Sequence, residues 1–475
     1  MMKIPKKILL LFLTIYSFNV ARSQEKDSLM NYLEMAVKNN PTILQKYAAY
    51  EAALQKVPQV GSLSDPELSA GILLSPMELM AGNQVADFRL MQMFPWFGTL
   101  KFAKDEMSLM AKAQYETFRD TKLQVLFEVQ QTWFELYKVQ RALEISAKNK
   151  EILKSLERLS LIRFKTASIS GSNSNSSGVR QNNAAQSSSS SSAGMQQMGG
   201  NAGANQTQTA KAMPSSTMNS SGGSGLTDLY RIQIEINDLE NNIGLLNNQK
   251  QTIVARFNSF LNRPLQQMIK LPDTLKSNTL NIPLLAVADS ILVQNPMLSM
   301  LNYEKQSLEA RKEMVTKMSY PMIGLGLNYT LIQKNPMSTS EMNGDDMIMP
   351  MLTVTLPIYR KKYKAMQIEA EKLKTATDYQ IQATANVLKT EYYQTVQDYE
   401  DAQRRVKLYA NQYSLANQSL NILIKSFSAS SAGLSDILIV QQQTLDYELK
   451  QVQAVADFNT AIVKLQRLMA YLPNN

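Results

Sequence analysis

Apolar residues recur alternately three and four positions apart along extended parts of the chain. This heptad spacing is typical of coiled-coil helices. One series lies between residues 385 and 427 and consists of Ala385, Leu388, Tyr392, Thr395, Tyr399, Ala402, Val406, Tyr409, Tyr413, Ala416, Leu420, Leu423 and Phe427. A second series, interrupted by Lys250, consists of Leu229, Ile232, Ile236, Leu239, Ile243, Leu246, Ile253, Phe257 and Phe260. The two series predict long helices with a buried seam.

The distribution of proline agrees with these helices. Proline is absent from residues 96–213 and 358–472. Because proline in a helix interior costs about 3 kcal/mol, long helices are permitted there. A helix over residues 100–164 would be roughly 100 Å long at about 1.5 Å per residue, which is longer than a compact domain needs.

Serine, asparagine, glutamine and glycine dominate residues 168–224, between two of the predicted helices. A segment of this composition cannot bury a hydrophobic core. We therefore predict a disordered insertion there, rich in serine, glycine, asparagine and methionine.

Four shorter segments alternate between apolar and polar residues, which predicts β-strands with one apolar face. The clearest has Ile323, Leu325, Leu327, Tyr329 and Leu331 on one face and Gly324, Gly326, Asn328 and Thr330 on the other. The other three lie near residues 68–75, 87–94 and 348–356. Each is about 9 to 11 residues long, which is the length of a tilted strand crossing a bilayer. A small soluble sheet with one face on a core is the alternative.

The N-terminus has the features of a secretory signal peptide over residues 1–23. Lys3, Lys6 and Lys7 precede an apolar run, and small residues before Gln24 fit cleavage near Ser23. The chain has no cysteine, so we expect neither a disulfide nor a lipoprotein anchor.

No later stretch is apolar for the roughly 18 residues of a transmembrane helix, which leaves a soluble periplasmic protein or a β-barrel.

The net charge of +9 includes four basic residues of the signal peptide, and about +5 on the mature chain is weak support for binding nucleic acid. Histidine is also absent, so the commonest general base is missing and an enzyme is not expected. The carboxylates of Glu369, Glu371, Asp398 and Asp401 are expected on solvated helix faces.

The chain contains two similar halves, which we place at residues 24–283 and 284–475. A shift of 255 residues lays Asn40-Pro41 on Asn295-Pro296, and a shift of 262 lays Phe94-Pro95 on Leu356-Pro357. Gly225-Leu226-Thr227-Asp228-Leu229 likewise matches Gly433-Leu434-Ser435-Asp436-Ile437. Each half is therefore predicted to contain a helix, two strands, a long helix, a reversal and a final helix.

The order, spacing and duplication of these motifs, with Leu261-Asn262-Arg263-Pro264-Leu265 closing the first half, resemble the TolC-type outer-membrane efflux family over nearly the whole mature chain. The resemblance implies a mainly α fold with a β-barrel: a long coiled-coil α-barrel and a transmembrane barrel to which three chains give four strands each. It also implies a homotrimer in outer-membrane lipid that spans into the periplasm and meets a periplasmic adaptor protein and an inner-membrane pump. No cofactor is expected.

Two features depart from the family pattern. In the family, a pair of acidic residues one helical turn apart often rings the entrance at the second reversal. Asp436 matches the first position, but Ile439 stands at the second. In addition, the first reversal carries the insertion at residues 168–224, which has no counterpart between Phe427 and Gly433.

Asp228 and Asp436 are the candidate entrance residues. Both lie just inside a predicted helix start, where a carboxylate also stabilises free N–H groups and the helix dipole, so capping and gating remain open. Gly225 and Gly433 are the predicted turn glycines at the two helix reversals.

Methionine is the other candidate, with 27 in the chain. Thioethers are soft ligands suited to Cu(I), and by the same softness to Ag(I), but methionine is also a flexible apolar filler. The candidates are five residues on polar strand faces, expected to point into the lumen, and four in the insertion: Met91, Met93, Met347, Met349, Met351, Met195, Met198, Met213 and Met218.

These observations favour a passive channel from periplasm to exterior in a tripartite efflux or secretion system, with heavy-metal ions as a candidate cargo. The alternative is an exported coiled-coil scaffold or adhesin without channel activity.

Overall fold

The computed structural model describes residues 29–79, 81–170, 224–275, 284–337, 339, 341–428 and 433–471. Its helices and strands follow one another as α1 (Leu29–Asn39), α2 (Pro41–Gly61), β1 (Glu67–Leu79), β2 (Gly82–Phe94), α3 (Thr99–Ser170), α4 (Ser224–Phe260), α5 (Leu284–Gln294), α6 (Pro296–Met318), β3 (Met322–Gln333), β4 (Met347–Thr355), α7 (Arg360–Ser428) and α8 (Leu434–Leu468). Within the described ranges, no helix is both long and apolar enough to cross a membrane.

The elements form the same series twice: two short helices, two strands, a long helix and a final helix. The four strands make one antiparallel sheet in the order β1-β2-β3-β4. The repeat and the combination of long helices with four strands, both expected from the sequence, are therefore confirmed. The change in shift from 255 to 262 residues corresponds to a longer connection between the two strands of the second half, since β3 ends at Gln333 and β4 begins at Met347.

The paired Asn-Pro motifs begin equivalent helices. The side-chain oxygen of Asn40 accepts hydrogen bonds from two backbone N–H groups in the first turn of α2, at 2.9 and 3.3 Å. Asn295 caps α6 in the same way, accepting one N–H at 3.0 Å. Pro41 and Pro296 follow at the first helical position, where the missing backbone donor is not needed. The duplicated motif is thus a duplicated helix start.

The last helix of each half also ends in the same way. Asn262 and Ala470 have positive φ angles of 50° and 54°. In each case the next residue donates its N–H to a carbonyl five residues back, at 3.2 Å in α4 and 2.9 Å in α8, which is the Schellman arrangement. Gly225 precedes Asn262 by 37 residues, and Gly433 precedes Ala470 by 37 residues.

The chain divides into two compact units, and the first comprises residues 1–143, 246–415 and 446–475. Its largest core joins α1, α2, α3, α4 and α8, and the ring of Tyr32 meets that of Phe257 edge-on at 5.2 Å. A second core joins α5, α6, α7 and α8. It consists of Ile291, Leu298, Leu388, Tyr392, Leu465, Leu468 and Met469. The short helices of each half are therefore packed onto the long ones.

The second unit comprises residues 144–245 and 416–445. Its core consists of Leu153, Leu156, Ile232, Ile236, Leu239, Leu420, Phe427, Leu434, Ile437 and Leu438. Leu420 and Phe427 are only 4% and 3% exposed. In both units, every residue of the two predicted seams is buried or half-buried, and so is Lys250, which interrupts the second series. The heptad spacing therefore identified the packed face of each helix.

Several boundaries differ from the sequence-based expectations. Helix α3 continues to Ser170 and α4 begins at Ser224, so the ends of the segment predicted as disordered are helical. The remainder of that insertion, residues 171–223, lies outside the described residues, as does the predicted signal peptide with its cleavage site. Strands β1 and β2 have 13 residues each, longer than predicted, because polar pairs such as Glu78 and Asn83 extend the ladder beyond the apolar alternation.

Candidate functional site

The strand register gives the sheet two chemically different faces, since directly opposed residues lie on the same face. One face carries Ser69, Gly71, Asp87, Arg89, Met91, Met93, Gly324, Gly326, Asn328, Thr330, Met347, Met349, Met351, Thr353 and Thr355. We call this the polar face. All five strand methionines predicted from the sequence lie on it.

Glycines on the polar face leave room for larger side chains from the neighbouring strand. A Cβ atom at Gly71 would lie 2.4 Å from the carboxylate Oδ1 of Asp87. A Cβ atom at Gly324 would lie 2.5 Å from the sulfur of Met93. Both distances are too short for a side chain, so these glycines let Asp87 and Met93 lie across the sheet.

The opposite face, which we call the apolar face, is largely uncovered in the single chain. Apart from Gln92, its members on the four strands are mainly aliphatic or aromatic. The exposed fractions are 72% for Leu68, 76% for Ile72, 55% for Leu325, 64% for Ile348 and 68% for Leu352. A soluble sheet normally covers such a face with a core. Among the described residues β1 and β4 each pair on one side only, so the sheet also has two free edges.

The second helix reversal, in the second unit, holds Gly433 and Asp436. Gly433 lies directly before α8, and Asp436 is the third residue of that helix. The carboxylate Oδ2 of Asp436 lies 3.4 Å from the position of a Cβ atom at Gly433, so it stays beside the helix start. This position suits interaction with the helix dipole. Ile439, one turn later, is exposed.

The first helix reversal holds Asp228, which is the fifth residue of α4 because this helix begins earlier than predicted. Gly225 is the second residue of the same helix. Burial raises the pKa of the Asp228 carboxyl, and the nearby charges of Arg231 and Arg163 oppose this rise. Asp228 is thus further from the free N–H groups of its helix start than Asp436 is, and it lies near two arginines.

Two arginines that the sequence pattern did not single out connect the elements of this unit. The guanidinium of Arg231 donates a hydrogen bond to the hydroxyl of Ser435 at 2.8 Å, which joins the starts of α4 and α8. The guanidinium of Arg163 lies over the ring of Phe427 at 4.4 Å, which joins the ends of α3 and α7. The only sequence signal was the presence of basic residues within about two turns of the reversals.

A buried amide pair lies further along the same unit. Asn149 of α3 and Gln441 of α8 are each 4% exposed, and the amide of Gln441 donates to the side-chain oxygen of Asn149. The other oxygen of the pair, Gln441 Oε1, has no hydrogen-bond partner within the described part of the chain. A buried amide in a coiled coil can fix its register, because other alignments leave it unpaired. In the sequence, the signal for such a pair is an amide residue at a position of a helix where the heptad spacing otherwise places apolar residues.

Three of the four carboxylates predicted on solvated faces make surface ion pairs, and Asp398 is exposed. Glu371 lies 2.6 Å from Lys312 and Glu369 lies 3.4 Å from Arg311, so both pairs join α6 to α7. Asp401 pairs with Arg404 one turn along α7. The described residues contain no cluster of three or more acidic, histidine or cysteine side chains that could hold a metal ion. The candidate ligands Met195, Met198, Met213 and Met218 lie outside the described residues.

Comparison with known proteins finds similar structures but no similar sequences. No protein-family model matches the chain, and no curated protein matches its sequence. Solved structures do match. The outer membrane protein VceC from Vibrio cholerae has a TM-score of 0.68 and 13% identity over 93% of this chain and 96% of its own.

Two further structures agree with it. The outer-membrane channel OprN has a TM-score of 0.68 and 12% identity over 93% of this chain and 89% of its own. A membrane protein from Pseudomonas aeruginosa has a TM-score of 0.67 and 14% identity over 94% and 93%. The chain therefore has the fold of these proteins, and the fold implied by the resemblance to the TolC-type family is confirmed.

Proposed function

We propose that this chain, which has the fold of the TolC-type outer-membrane channels, is the outer-membrane channel of a tripartite efflux or secretion system. It works as a homotrimer and conducts substrate passively from the periplasm to the exterior. An inner-membrane pump supplies the energy, and a periplasmic adaptor protein connects the two. The chain itself carries out no covalent chemistry.

The observation that supports this proposal most directly is the two-faced sheet. Its apolar face is exposed in the single chain, whereas its polar face is lined by small, polar and thioether side chains. A transmembrane strand alternates in this way between lipid and lumen. Such an exposed apolar face is unfavourable in water and favourable in contact with the hydrocarbon of a bilayer.

The free edges support the trimer. Four strands cannot close a barrel, since the smallest bacterial barrels have about eight strands. Three copies joined through β1 and β4 would supply twelve strands and leave no unpaired edge. The polar face then lines the lumen, and the apolar face contacts lipid.

The helix reversals are the proposed entrance and adaptor site. Asp436 at the start of α8 and Asp228 among Arg163 and Arg231 place charge at both reversals. Charged rings in a constriction select and gate permeating molecules. We assign gating to these carboxylates in the trimer, in addition to the helix-start role that Asp436 has in one chain.

Cell fractionation and conductance measurements test the channel. After salt and carbonate washes the protein should stay with the outer membrane, chemical cross-linking should give a trimer, and the purified protein should conduct ions in a planar lipid bilayer. Release into the soluble fraction would instead support the exported scaffold or adhesin and overturn the channel.

Heavy-metal ions are the more specific candidate cargo. Met91, Met93, Met347, Met349 and Met351 share the polar face, so three chains would place soft sulfur ligands around the lumen. Because methionine is also an adaptable apolar residue, the experiment must separate the effect of its soft sulfur ligand from the effect of its side-chain size. Leucine at all five positions keeps the bulk and removes the sulfur. Resistance to copper and silver should fall, while export of organic compounds should be unchanged.

The insertion offers a second test of the cargo. Shortening residues 168–224 to the length of the second reversal should leave folding and trimerisation intact, since flexible loops add closure entropy only slowly with length. If its four methionines gather Cu(I) or Ag(I), both this deletion and their replacement by leucine should lower resistance to those ions. Unchanged tolerance in all of these variants would exclude the metal cargo and leave the channel proposal standing.

A further inference from the structure

An apolar cavity of about 440 Å³ lies in the first unit, where the sheet meets the helices. This volume falls within the range of about 300 to 1,000 Å³ typical of small-molecule sites. The cavity is lined mainly by Leu63, Phe94, Trp96, Phe97, Ile323 and Leu325. None of the lining residues belongs to the polar face or to the helix reversals.

The cavity lies on the apolar face and on the two inner strands. Phe94 at the end of β2 is directly opposite Ile323 at the start of β3, and Leu325 follows on the same face. In the proposed trimer, neighbouring copies pair with the outer strands β1 and β4. That pairing leaves the cavity on β2 and β3 open to the bilayer, so lipid fits it better than a second copy does.

Aromatic side chains surround the same end of the sheet. The ring of Trp96 stacks on that of Tyr320 at 5.3 Å and 17°, and Phe97 is 85% exposed. Tyr359, beyond the end of β4, is also exposed. Tryptophan and tyrosine concentrate at the level of the lipid headgroups. The cavity is thus at the depth where an acyl chain joins its headgroup.

One cation, Lys317, lies beside the cavity, and three others follow β4 at the same end of the sheet. The side chain of Lys317 passes within 3.8 Å of the Cβ position of Gly98, which is itself a lining residue. Arg360, Lys361 and Lys362 begin α7 just after the end of β4, and all three are exposed. A lipid phosphate beside the cavity would be attracted to Lys317, and the exposed cations at the start of α7 add to the positive potential at this end of the sheet.

We propose that the cavity binds one acyl chain of a phospholipid from the periplasmic leaflet, with the phosphate held near Lys317. The inference rests on the proposed function, because it requires the apolar face to lie in the outer membrane. The bound lipid fills a gap between sheet and helices that the chain leaves open.

Tryptophan fluorescence gives a direct readout, because the chain has two tryptophans and Trp133 is buried in a helical core. In the Trp133→Phe protein, Trp96 is the single reporter. After reconstitution into vesicles of phospholipid brominated on the upper acyl chain, its emission should be strongly quenched. Purified trimer should also retain phospholipid that native mass spectrometry detects.

Filling the cavity separates a bound lipid from the surrounding bilayer. Leu63→Phe with Leu325→Phe should abolish phospholipid retention and leave trimer formation and membrane insertion unchanged. The matched control is Ile348→Phe with Leu352→Phe, which adds the same bulk to exposed positions of the apolar face outside the cavity. The control should retain lipid as the parent protein does.

The charge contact is tested with Lys317→Gln, which should weaken phospholipid retention about fivefold, the effect of one lysine at an anionic surface. Exposed Lys407→Gln in α7 should have no effect. Equal retention in the parent, the cavity-filling and the Lys317 variants would overturn the inference.

The outcomes distinguish this inference from the proposed function. A protein that does not enter membranes at all would overturn both. A protein that inserts and conducts, but whose Trp96 is protected from brominated lipid in the trimer and accessible in the monomer, would show that a second copy covers the cavity. That result would overturn the lipid site alone.

Discussion

The coiled-coil seam and the sheet use similar side chains in opposite ways. In the seam, Leu420 is 4% exposed because neighbouring helices of the same chain cover it. In the sheet, Leu352 is 68% exposed and nothing in the described chain covers it. The seam therefore stabilises a single chain in water. Under the proposed function, the apolar face becomes favourable only when it contacts the hydrocarbon of a bilayer.

This difference determines whether a charged substitution destabilises the folded chain or only its insertion into a membrane. A carboxylate in the seam is removed from water by protein and has no partner, which is costly in any environment. A charge on the apolar face stays hydrated before insertion and loses its water only in the membrane. Mutations can therefore separate folding of the helices from insertion of the sheet.

The largest effect is expected for Leu420→Asp. An unpaired carboxylate in the second-unit core should cost several kcal/mol, on the order of what a buried unpaired polar group costs. Trimer yield should collapse, as measured by cross-linking and size-exclusion chromatography. Lys407→Asp, on the exposed side of the same helix, is the control and should be tolerated. Equal tolerance at both positions would mean that the seam is not buried in the assembled protein.

The next effect is expected for Leu352→Arg on the apolar face. An arginine on a lipid-facing position costs up to about 2 to 4 kcal/mol, the value at the bilayer midplane, so assembly in the outer membrane should fall while helix content in detergent is retained. Thr353→Arg, the neighbouring residue on the polar face, should insert normally. Heat-stable trimer in washed outer membranes is the measurement, and equal insertion of both variants would contradict the assignment of the faces.

A smaller effect should distinguish the two halves. Asn295→Ala removes one cap and should cost about 1 kcal/mol of stability. Asn40→Ala should cost more, because the amide of Asn40 also donates to the carbonyl of Phe260 at 2.9 Å. Thermal unfolding followed by circular dichroism compares the two variants. Equal losses would show that this additional bond contributes nothing.

The smallest expected effect is on the pH dependence of stability, through the carboxyl of Asp228. Burial raises the folded-state pKa of Asp228 above its unfolded value, so the folded form retains this proton longer. This group's contribution to stability is therefore greatest below the unfolded pKa and decreases as pH rises through the folded pKa. Asp228→Asn should match the parent at acid pH and be slightly more stable near neutral pH. Parallel pH profiles for the parent and the Asp228→Asn protein would contradict the prediction.

The regular parts of the fold were predictable because they depend on local pattern. The seam repeats every seven residues, the strands alternate, and each Asn-Pro motif contains its own cap and first helical residue. The polar face followed from alternation alone, which placed Met91 with Asp87 and Arg89. The domain boundaries and the roles of the candidate site residues stay predictions.

The contacts between distant helices were not predictable in the same way. Asn149 and Gln441 are 292 residues apart, and their meeting depends on the axial alignment of α3 and α8, which neither helix encodes alone. The same holds for Arg163 over Phe427. The end of α3 differs from the prediction because the change to a serine-, asparagine-, glutamine- and glycine-rich composition at residue 168 does not end the helix, which continues to Ser170.

The equal spacing from Gly225 to Asn262 and from Gly433 to Ala470 limits how this chain can evolve. A single inserted residue in either helix would rotate everything beyond it by about 100°, since an α-helix has about 3.6 residues per turn. The seam residues past that point would turn towards solvent, while the Schellman end would leave its packing site. Gains and losses of residues are therefore expected to be tolerated in the connections, where the two halves already differ in length, and to be selected against within α4 and α8.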